Sequence, residues 1–274
     1  MKKYLLFLVL GVSALPLEAQ INCNLFKWAG DSVCYRACQI YDFSNNAYQG
    51  SRASQILYDS VIAICPSFDL AYMEKAVPYL KRGDFANWRY LMDQAVSLNP
   101  AEHLGYRGWC RYQFLRDYTG ALEDIDALEK LKPTNMGYSV NGDYHLKIAQ
   151  ALCHKGLGNK QKAISIIEQQ LATEGYEPGY YDYLHLAVLY LETGQPAKSL
   201  PLLEKQRRLS ASFAETHYYL AKAWFMLHIE PEKRQQELQK ALDLYQTGRH
   251  RSDPYTHPDD RIYLEDIRSA MEKW

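Results

Sequence analysis

The residue types best suited to chemistry lie close together near the C-terminal end of the sequence. His250, Asp253, His257, Asp259 and Asp260 fall within eleven positions, and imidazole nitrogens and carboxylate oxygens are common metal ligands. A metal ion would need these side chains to converge on one point. Because the residues between them are mostly turn formers, we expect the five side chains to make turns and helix caps rather than a metal site.

Motifs of known enzyme classes are absent from the sequence. It contains no Gly-x-Ser-x-Gly nucleophile elbow, no His-Glu-x-x-His zinc motif and no P-loop. Gly156 and Gly158 resemble the start of a dinucleotide-binding loop, but Gln161 occupies the third glycine position and the flanks have helical patterns. Asp124 and Asp126 do not share a helix face, which argues against a paired acid–base role. We therefore expect no enzyme activity and no cofactor.

Composition narrows the function further. The chain of 274 residues has 31 Lys and Arg against 32 Asp and Glu, whereas nucleic-acid-binding domains normally carry a basic excess. Hydrophobic residues make up 47% of the chain, which is enough to bury a substantial core. The sequence therefore predicts a folded protein that does not bind nucleic acid.

The N-terminus has the three regions of a secretory signal. Lys2 and Lys3 precede the apolar run Tyr4–Leu15, and Pro16 with the short segment Leu17–Ala19 follows as the cleavage region. This run is shorter than the roughly 20 residues that a membrane-spanning helix needs, so we expect cleavage after Ala19 rather than anchoring. The mature chain is expected to have no membrane span. We expect it in the periplasm or cell envelope of a Gram-negative bacterium, or secreted.

Export makes the six cysteines candidates for disulfide bonds, and six cysteines allow 15 complete pairings. They are Cys23, Cys34, Cys38, Cys65, Cys110 and Cys153. One bridge among the first four would tie the N-terminal leader onto the first helices. Cys34 and Cys38 would share a helix face with backbones poorly placed for a direct bond, so each needs a different partner. The pairing is otherwise open.

Prolines recur at regular intervals along the chain. Pro66, Pro100 and Pro133 are separated by 34 and 33 residues. Each follows a segment whose apolar residues have helical spacing, and proline ends a helix because it cannot continue the hydrogen-bonding pattern. Gly158 and Gly194 lie 36 residues apart and mark tight turns between helices. The sequence therefore predicts a repeated helix–turn–helix unit.

This pattern resembles the tetratricopeptide repeat, a helix–turn–helix unit of about 34 residues. The best copy places four characteristic residues on one helix face: Tyr183, Leu186, Ala187 and Tyr190. The resemblance covers roughly Val33–Leu244 in six copies, and the third copy has one extra residue in its first helix. It implies an all-α fold, a right-handed α-solenoid of stacked repeats closed by a C-terminal capping helix.

The resemblance also implies a domain organisation: a signal peptide at 1–19, a leader at 20–32, the solenoid at 33–247, and a connector with the capping helix at 248–274. Asp259 or Asp260 is expected to cap that last helix. Cys110 and Cys153 fall at or beside small, buried repeat positions, which favours free thiols there. Pro78 lies inside a predicted helix, so we expect a kink.

In this family the first helix of each hairpin lines a concave groove that binds partners. Carried over position by position, copies two to six contribute Met73, Val77, Lys81, Tyr106, Trp109, Gln113, His145, Ile148, Lys155, Tyr181, Leu184, Glu192, Tyr218, Lys222 and Phe225. Aromatic side chains with scattered charges suit an extended peptide or protein segment. The Lys and Asn clamp of members that bind chaperone tails is absent, so a chaperone C-terminus is not the expected ligand.

Two function classes follow from the resemblance. The first is a non-enzymatic protein–protein interaction scaffold of the cell envelope that binds an extended segment in the groove. The alternative is an accessory glycan- or cell-wall-binding protein whose groove aromatics stack on sugar rings. If the groove carries the function, Tyr218 and Phe225 are expected to anchor one extended segment, and their replacement by Ala weakens binding. Stability should change little if the two rings are exposed, and the alternative is that they belong to the core.

Overall fold

A computed structural model describes residues 21–44 and 46–274 of the chain. Over these ranges the chain forms fourteen α-helices and one π-helical turn, and its β-pairing is limited to an isolated bridge between Tyr138 and His145. The predicted all-α fold class is therefore confirmed. The chain divides into two compact units, with the boundary between Ala71 and Tyr72. The predicted signal peptide, residues 1–19, lies outside the described residues.

The N-terminal unit contains the first hairpin of the repeat pattern. Its helices are α1 (Asn24–Trp28), α2 (Ser32–Ser44) and α3 (Arg52–Ile64). Ser51 begins α3 as an N-cap, since its side chain accepts a hydrogen bond from the Ser54 amide. The apolar faces of α2 and α3 bury a small core that includes Ala37, Tyr58 and Val61.

Two disulfide bonds staple this unit. Cys23 is bonded to Cys38, and Cys34 is bonded to Cys65. The first bond ties the leader to α2, and Cys34 and Cys38 have different partners, as the sequence predicts. Such crosslinks matter most in a small unit, which cannot bury enough apolar surface to be stable without help.

The C-terminal unit carries the remaining hairpins, and α4 contains the boundary between the units. The helices of the rest of the chain are α4 (Asp69–Lys81), α5 (Phe85–Leu98), α6 (Pro100–Cys110), α7 (Tyr118–Leu131), α8 (Leu146–Gly156), α9 (Lys160–Leu171), α10 (Asp182–Glu192), α11 (Pro196–Leu209), α12 (Ala214–Met226), α13 (Pro231–Gln246) and α14 (Leu264–Lys273). From α6 to α13, consecutive helices pack as hairpins and each hairpin packs on the next. Stacking is required because one hairpin cannot bury its own apolar stripe.

The helices end close to the prolines and glycines at which the sequence predicts their ends. The helices α3, α5 and α7 end shortly before Pro66, Pro100 and Pro133. Gly158 and Gly194 have φ values of 82° and 72°, a left-handed conformation that costs glycine little and that reverses the chain between two helices. The turn at Gly156 and Gly158 therefore joins two helices and has no strand before it.

The extra residue of the third copy is absorbed as a π-helical turn. After α6 the chain continues through Arg111–Leu115 with π-helical hydrogen bonds, and Arg116 then adopts a φ of 55°. A π turn accommodates one residue more than an α turn, so the hairpin keeps its packing. At Gly108 the helices α6 and α7 approach closely, since a Cβ there would lie 3.0 Å from the Ile125 side chain.

The core of this unit follows the repeat pattern. Ala187 and Ala221 are fully buried, and Cys110 and Cys153 are buried free thiols, as predicted. The helix α4 continues through Pro78 to its end at Lys81. Within residues 21–44 and 46–274, no helix combines the length and the apolar composition needed to cross a membrane.

The prediction that Asp259 or Asp260 caps the last helix is wrong. The N-cap of α14 is Tyr263, whose amide donates a hydrogen bond to Oδ2 of Asp266 at 2.8 Å. Asp259 and Asp260 instead bind side chains of distant helices. The helix start was misassigned because a capping carboxylate and a carboxylate in a tertiary ion pair look the same in sequence.

Candidate functional site

The first helices of the hairpins form one face of the C-terminal unit, which we call the groove face. It is built from α6 with its π turn, α8, α10 and α12. Some predicted groove residues belong to the core beneath this face: Ile148 and Leu184 have exposures of 0% and 1%, and Trp109 is also buried. These side chains stabilise the stack and do not reach its surface.

A segment of the chain itself covers the groove face. Residues 249–263, which we call the groove loop, connect α13 to α14. The loop contacts three predicted groove residues: Gln113, Lys155 and Tyr181. Its two ends are fixed, since the Ala214 amide donates to the Arg249 carbonyl at 3.0 Å and Ile262 is buried in the terminal core.

Arg251 is the most deeply inserted cation of the groove loop. Its guanidinium lies 3.9 Å from the ring centroid of Tyr181. Nη2 donates to the Tyr144 hydroxyl at 2.6 Å, and Nη1 lies 3.2 Å from Nε2 of His185. The Arg251 amide donates to Oε1 of Glu215 at 2.9 Å. An aromatic face and several acceptors thus replace the water that a buried guanidinium loses.

The opposite side of His185 binds a carboxylate. Nδ1 of His185 lies 2.6 Å from Oδ2 of Asp260, and Lys155 contacts the other oxygen of the same carboxylate. Because the Arg251 guanidinium has only donors, Nε2 of His185 must accept and its proton must lie on Nδ1. The imidazole therefore relays a hydrogen bond between a buried cation and a buried anion.

Burial and charge set the protonation states in this network. Burial lowers the pKa of His185 and outweighs the opposing effect of Asp260, so the ring is held neutral. Burial alone would raise the pKa of Asp260, but Lys155 and the hydrogen bond from His185 hold that pKa below its usual range. Burial of Tyr181 raises the pKa of its hydroxyl to about 12.

The neighbouring carboxylate and the tip of the loop reach the third hairpin. Oδ2 of Asp259 accepts from the Tyr112 hydroxyl at 2.6 Å, and Oδ1 lies 3.1 Å from Nη1 of Arg116. Gln113 Nε2 donates to Oγ1 of Thr256 at 2.8 Å. The groove face therefore has a site for a guanidinium and a site for a pair of adjacent carboxylates, and His185 contacts a group in each.

The five candidate metal ligands do not converge. His250 stacks on Tyr245 with ring centroids 4.1 Å apart, and Asp253 accepts from the amides of Tyr255 and Thr256 in a turn. Across the described part of the chain, no three His, Cys, Asp or Glu side chains are grouped so that they could hold a metal ion.

The predicted anchors on α12 are covered by the C-terminal residue. The Trp274 ring stacks on Phe225 with centroids 5.1 Å apart, and it lies 5.4 Å from the Tyr218 ring. Tyr218 is buried and Phe225 is half-buried. The structure therefore favours the core alternative for Tyr218, because the chain places an aromatic residue of its own over this ring. Lys222, between them, lies over the Tyr219 ring at 5.9 Å.

The other predicted groove residues have varied roles. His145 is the N-cap of α8, and its Nδ1 accepts from the Lys147 amide at 3.2 Å. Glu192 pairs with Lys155 and Lys160 at 3.2 and 3.0 Å. Tyr106 lies beside Trp109, with ring centroids 6.3 Å apart. In the second copy, Met73 and Val77 are half-buried and Lys81 is exposed.

Five residues whose side chains hold the groove loop were not identified from the sequence: Tyr112, Arg116, Tyr144, His185 and Glu215. One signal could have identified His185, since it lies one helical turn after Tyr181 on the same face of α10. Tyr144 and Tyr112 lie at the ends of helices, where the repeat register assigns no groove position. Their roles depend on the loop that meets them.

Comparison with known proteins gives matches in structure only. No protein-family profile matches the chain, and no curated protein does. PilW, a widely conserved type IV pilus biogenesis factor, has a TM-score of 0.62 at 15% identity, over 86% of this chain and 99% of its own. YrrB, a TPR protein with an unusual peptide-binding site, has a TM-score of 0.51 at 13% identity, over 68% of this chain and 91% of its own.

A MamA structure has a TM-score of 0.51 at 17% identity, over 65% of this chain and 92% of its own. At these identities the likeness concerns the backbone arrangement alone. Helix order, turn positions and small-residue packing in this chain agree with that arrangement. The chain therefore has the fold of the tetratricopeptide repeat proteins.

Proposed function

We propose that the chain is a non-enzymatic protein–protein interaction scaffold of the cell envelope that holds an extended segment of a partner on its groove face. The observation that supports this is the groove loop, because one face built from four first helices binds an extended segment through side chains. A face with a site for a guanidinium and a site for two carboxylates has the groups to bind another segment of the same chemistry.

Two features support the proposal that the chain is located in the cell envelope. The predicted signal peptide directs export, and the disulfide bonds Cys23–Cys38 and Cys34–Cys65 are of the kind that persists in oxidising compartments. Among proteins with this fold, YrrB has a peptide-binding site and PilW acts in pilus biogenesis, which is in line with an interaction role.

A partner segment can bind the groove face only when the groove loop has left it. A partner segment has to replace a ligand that is tethered at both ends and therefore has a high effective concentration. The apparent affinity for the partner is lowered in proportion to the fraction of molecules whose groove face is open. Weakening the loop's own contacts should therefore raise the affinity for an added segment.

A peptide with the sequence of residues 249–263 tests this. We expect the labelled peptide to bind an Arg251→Ala variant of the full mature chain at least about tenfold more tightly than the unaltered chain in fluorescence anisotropy. Asp260→Asn, which keeps the side-chain volume, provides a second opened variant. Arg249→Ala is the matched control, since Arg249 is exposed. A peptide that itself carries Arg251→Ala should not bind.

Absence of peptide binding to both opened variants, with helicity retained in circular dichroism, would show that the groove face is a closed structural feature. The proposed site would then be abandoned. The glycan-binding alternative needs free ring faces, whereas Tyr181 lies under Arg251 and Phe225 lies against Trp274. Protein binding is therefore the function that we propose.

A further inference from the structure

A second groove lies between the second helices of two neighbouring hairpins. It has a volume of about 470 Å³ and is formed by α9, α10 and α11. Its apolar floor consists of Tyr183, Leu186, Tyr190 and Leu202, and Lys198 and Lys205 stand at its rim. We call it the α9–α11 groove. Its volume falls within the range of roughly 300–1,000 Å³ that is typical of ligand pockets.

This groove is separate from the groove face. With about 100° between successive helical residues, Tyr183, Leu186 and Tyr190 lie on the side of α10 opposite to Tyr181 and His185. Of these five residues, the groove loop contacts only Tyr181 and His185. A ligand in the α9–α11 groove would therefore not compete with the groove loop.

The groove is lined by two lysines, Lys198 and Lys205, and by one carboxylate, that of Glu168. The Lys198 ammonium lies 5.2 Å from the centre of the Tyr190 ring, and the Lys205 ammonium lies 5.4 Å from that of Tyr183. Both lysines are exposed, and neither forms an ion pair with a described residue. The nearby carboxylate of Glu168 accepts from the Tyr190 hydroxyl. Each tyrosine thus holds one cation beside the apolar floor.

A third cation extends this arrangement. An adjoining cavity of about 420 Å³ shares Tyr183 and Lys205 with the groove and is also lined by Arg208 and by one carboxylate, that of Glu177. Three cations therefore lie along one side of α11, separated by seven and three residues: Lys198, Lys205 and Arg208. Positive potential beside a desolvating apolar surface favours carboxylates on the bound segment.

We propose that the α9–α11 groove is a second binding site, for a partner segment in which one large apolar side chain is flanked by carboxylates. The apolar side chain packs on Leu186 between the two tyrosine rings. The flanking carboxylates pair with Lys198 and Lys205. This site goes beyond the proposed function of the groove face, and either can fail without the other.

The test uses a labelled peptide with one leucine between two pairs of glutamates, and the full mature chain. We expect saturable binding in fluorescence anisotropy, weakened about tenfold or more by Lys198→Glu/Lys205→Glu and by added salt. The control variant is Lys130→Glu/Lys240→Glu, which has the same change in net charge at exposed sites outside the groove. It should bind the peptide as tightly as the unaltered chain does. Carbodiimide cross-linking should join the peptide glutamates to Lys198 or Lys205.

Matched peptides separate the two parts of the proposal. Replacing the leucine by alanine, or the glutamates by glutamines, should each reduce affinity about tenfold. Equal binding of the three peptides, no effect of Lys198→Glu/Lys205→Glu, or no binding up to about 1 mM would overturn the proposal. So would retention on polysaccharide that Tyr183→Ala abolishes, or self-association that the double lysine variant abolishes, because these outcomes assign the groove to a glycan or to a second copy.

Discussion

His185 connects the two buried charges of the groove loop. It can do so only as a neutral ring with its proton on Nδ1, since it accepts from Arg251 and donates to Asp260. Protonation of Nε2 would bring two cations together in a buried site. The histidine therefore makes the attachment of the groove loop sensitive to pH.

Stability should fall on acidification because of His185. Burial lowers its pKa in the folded chain, whereas the unfolded chain takes up a proton below about pH 6.5. Unfolded molecules then bind more protons than folded ones, so the free energy of unfolding decreases between about pH 7.5 and 5.5. We expect His185→Asn to flatten this dependence in urea titrations. His228→Asn, at an exposed position, should retain it, and equal slopes for His185→Asn and the unaltered chain would contradict the prediction.

Arg251 should contribute strongly to stability. Removing one partner of a buried charged network leaves the others without compensation and typically costs about 3–5 kcal/mol. We therefore expect Arg251→Ala to lower the free energy of unfolding by this amount in urea denaturation, whereas Arg249→Ala, at an exposed position, should change it little. A loss below about 1 kcal/mol for Arg251→Ala would mean that the guanidinium is not buried in solution.

At the scale of secondary structure elements, disulfides and free thiols are divided between the two units. The N-terminal unit has both disulfide bonds, and Cys110 and Cys153 lie in the helical core of the C-terminal unit. The division follows size, because a unit of a few short helices buries little apolar surface while a stack of hairpins buries much. Burial also raises the pKa of both free thiols.

Thiol counting tests this division. In the native mature chain Cys110 and Cys153 should react slowly with iodoacetamide, because they are buried and protonated. Denaturation without a reductant should release two thiols per chain, and reduction should release the remaining four. Four reactive thiols before reduction would show that one of the two disulfide bonds does not form, and six would show that neither forms.

The packing of Trp274 on α12 also belongs to this scale. Because Tyr218 is buried beneath Trp274, replacing Tyr218 by Ala creates a cavity, which typically costs about 3–5 kcal/mol for a large aromatic residue. We expect Tyr218→Ala and Trp274→Ala to lower the melting temperature. Tyr255→Ala, at a position 55% exposed, should leave it unchanged. An unchanged melting temperature for Tyr218→Ala would restore the interpretation of this ring as an exposed anchor.

At the scale of the molecule, the groove loop occupies the face that the family resemblance assigns to a partner. Groove residues were predicted by register, which locates a position on a helix but does not show what packs against it. Lys155 and Tyr181 contact the groove loop, and their role in binding a partner stays a prediction. The register could not show that a segment of the same chain packs against this face.

Export is a prediction that rests on the N-terminal sequence alone. We expect the mature chain from envelope fractions to begin near Gln20 in N-terminal sequencing. Deletion of residues 1–19 should retain the protein inside the cell and leave the cysteines of the N-terminal unit reduced, because cytosolic thiols are kept reduced. Recovery of Met1 in the envelope fraction would contradict cleavage and favour an anchored form.

The sequence by itself determined the helices, their turns and the stacked hairpins. Apolar spacing, prolines and glycines act within one helix or one turn, so they can be recognised from neighbouring residues. Helix geometry also showed that Cys34 and Cys38 need different partners. The free thiols of Cys110 and Cys153 were predicted from their positions in the repeat pattern.

Only the tertiary structure decided where the C-terminal segment lies. Arg251 and Asp260 meet Tyr144, His185 and Lys155 across some 66 to 107 positions of sequence. In sequence these charged residues look like solvated turn residues, because burial of a charge is favourable only when its partners converge in space. The repeat pattern produced the face, and long-range charge pairing determined that the chain fills it with its own loop.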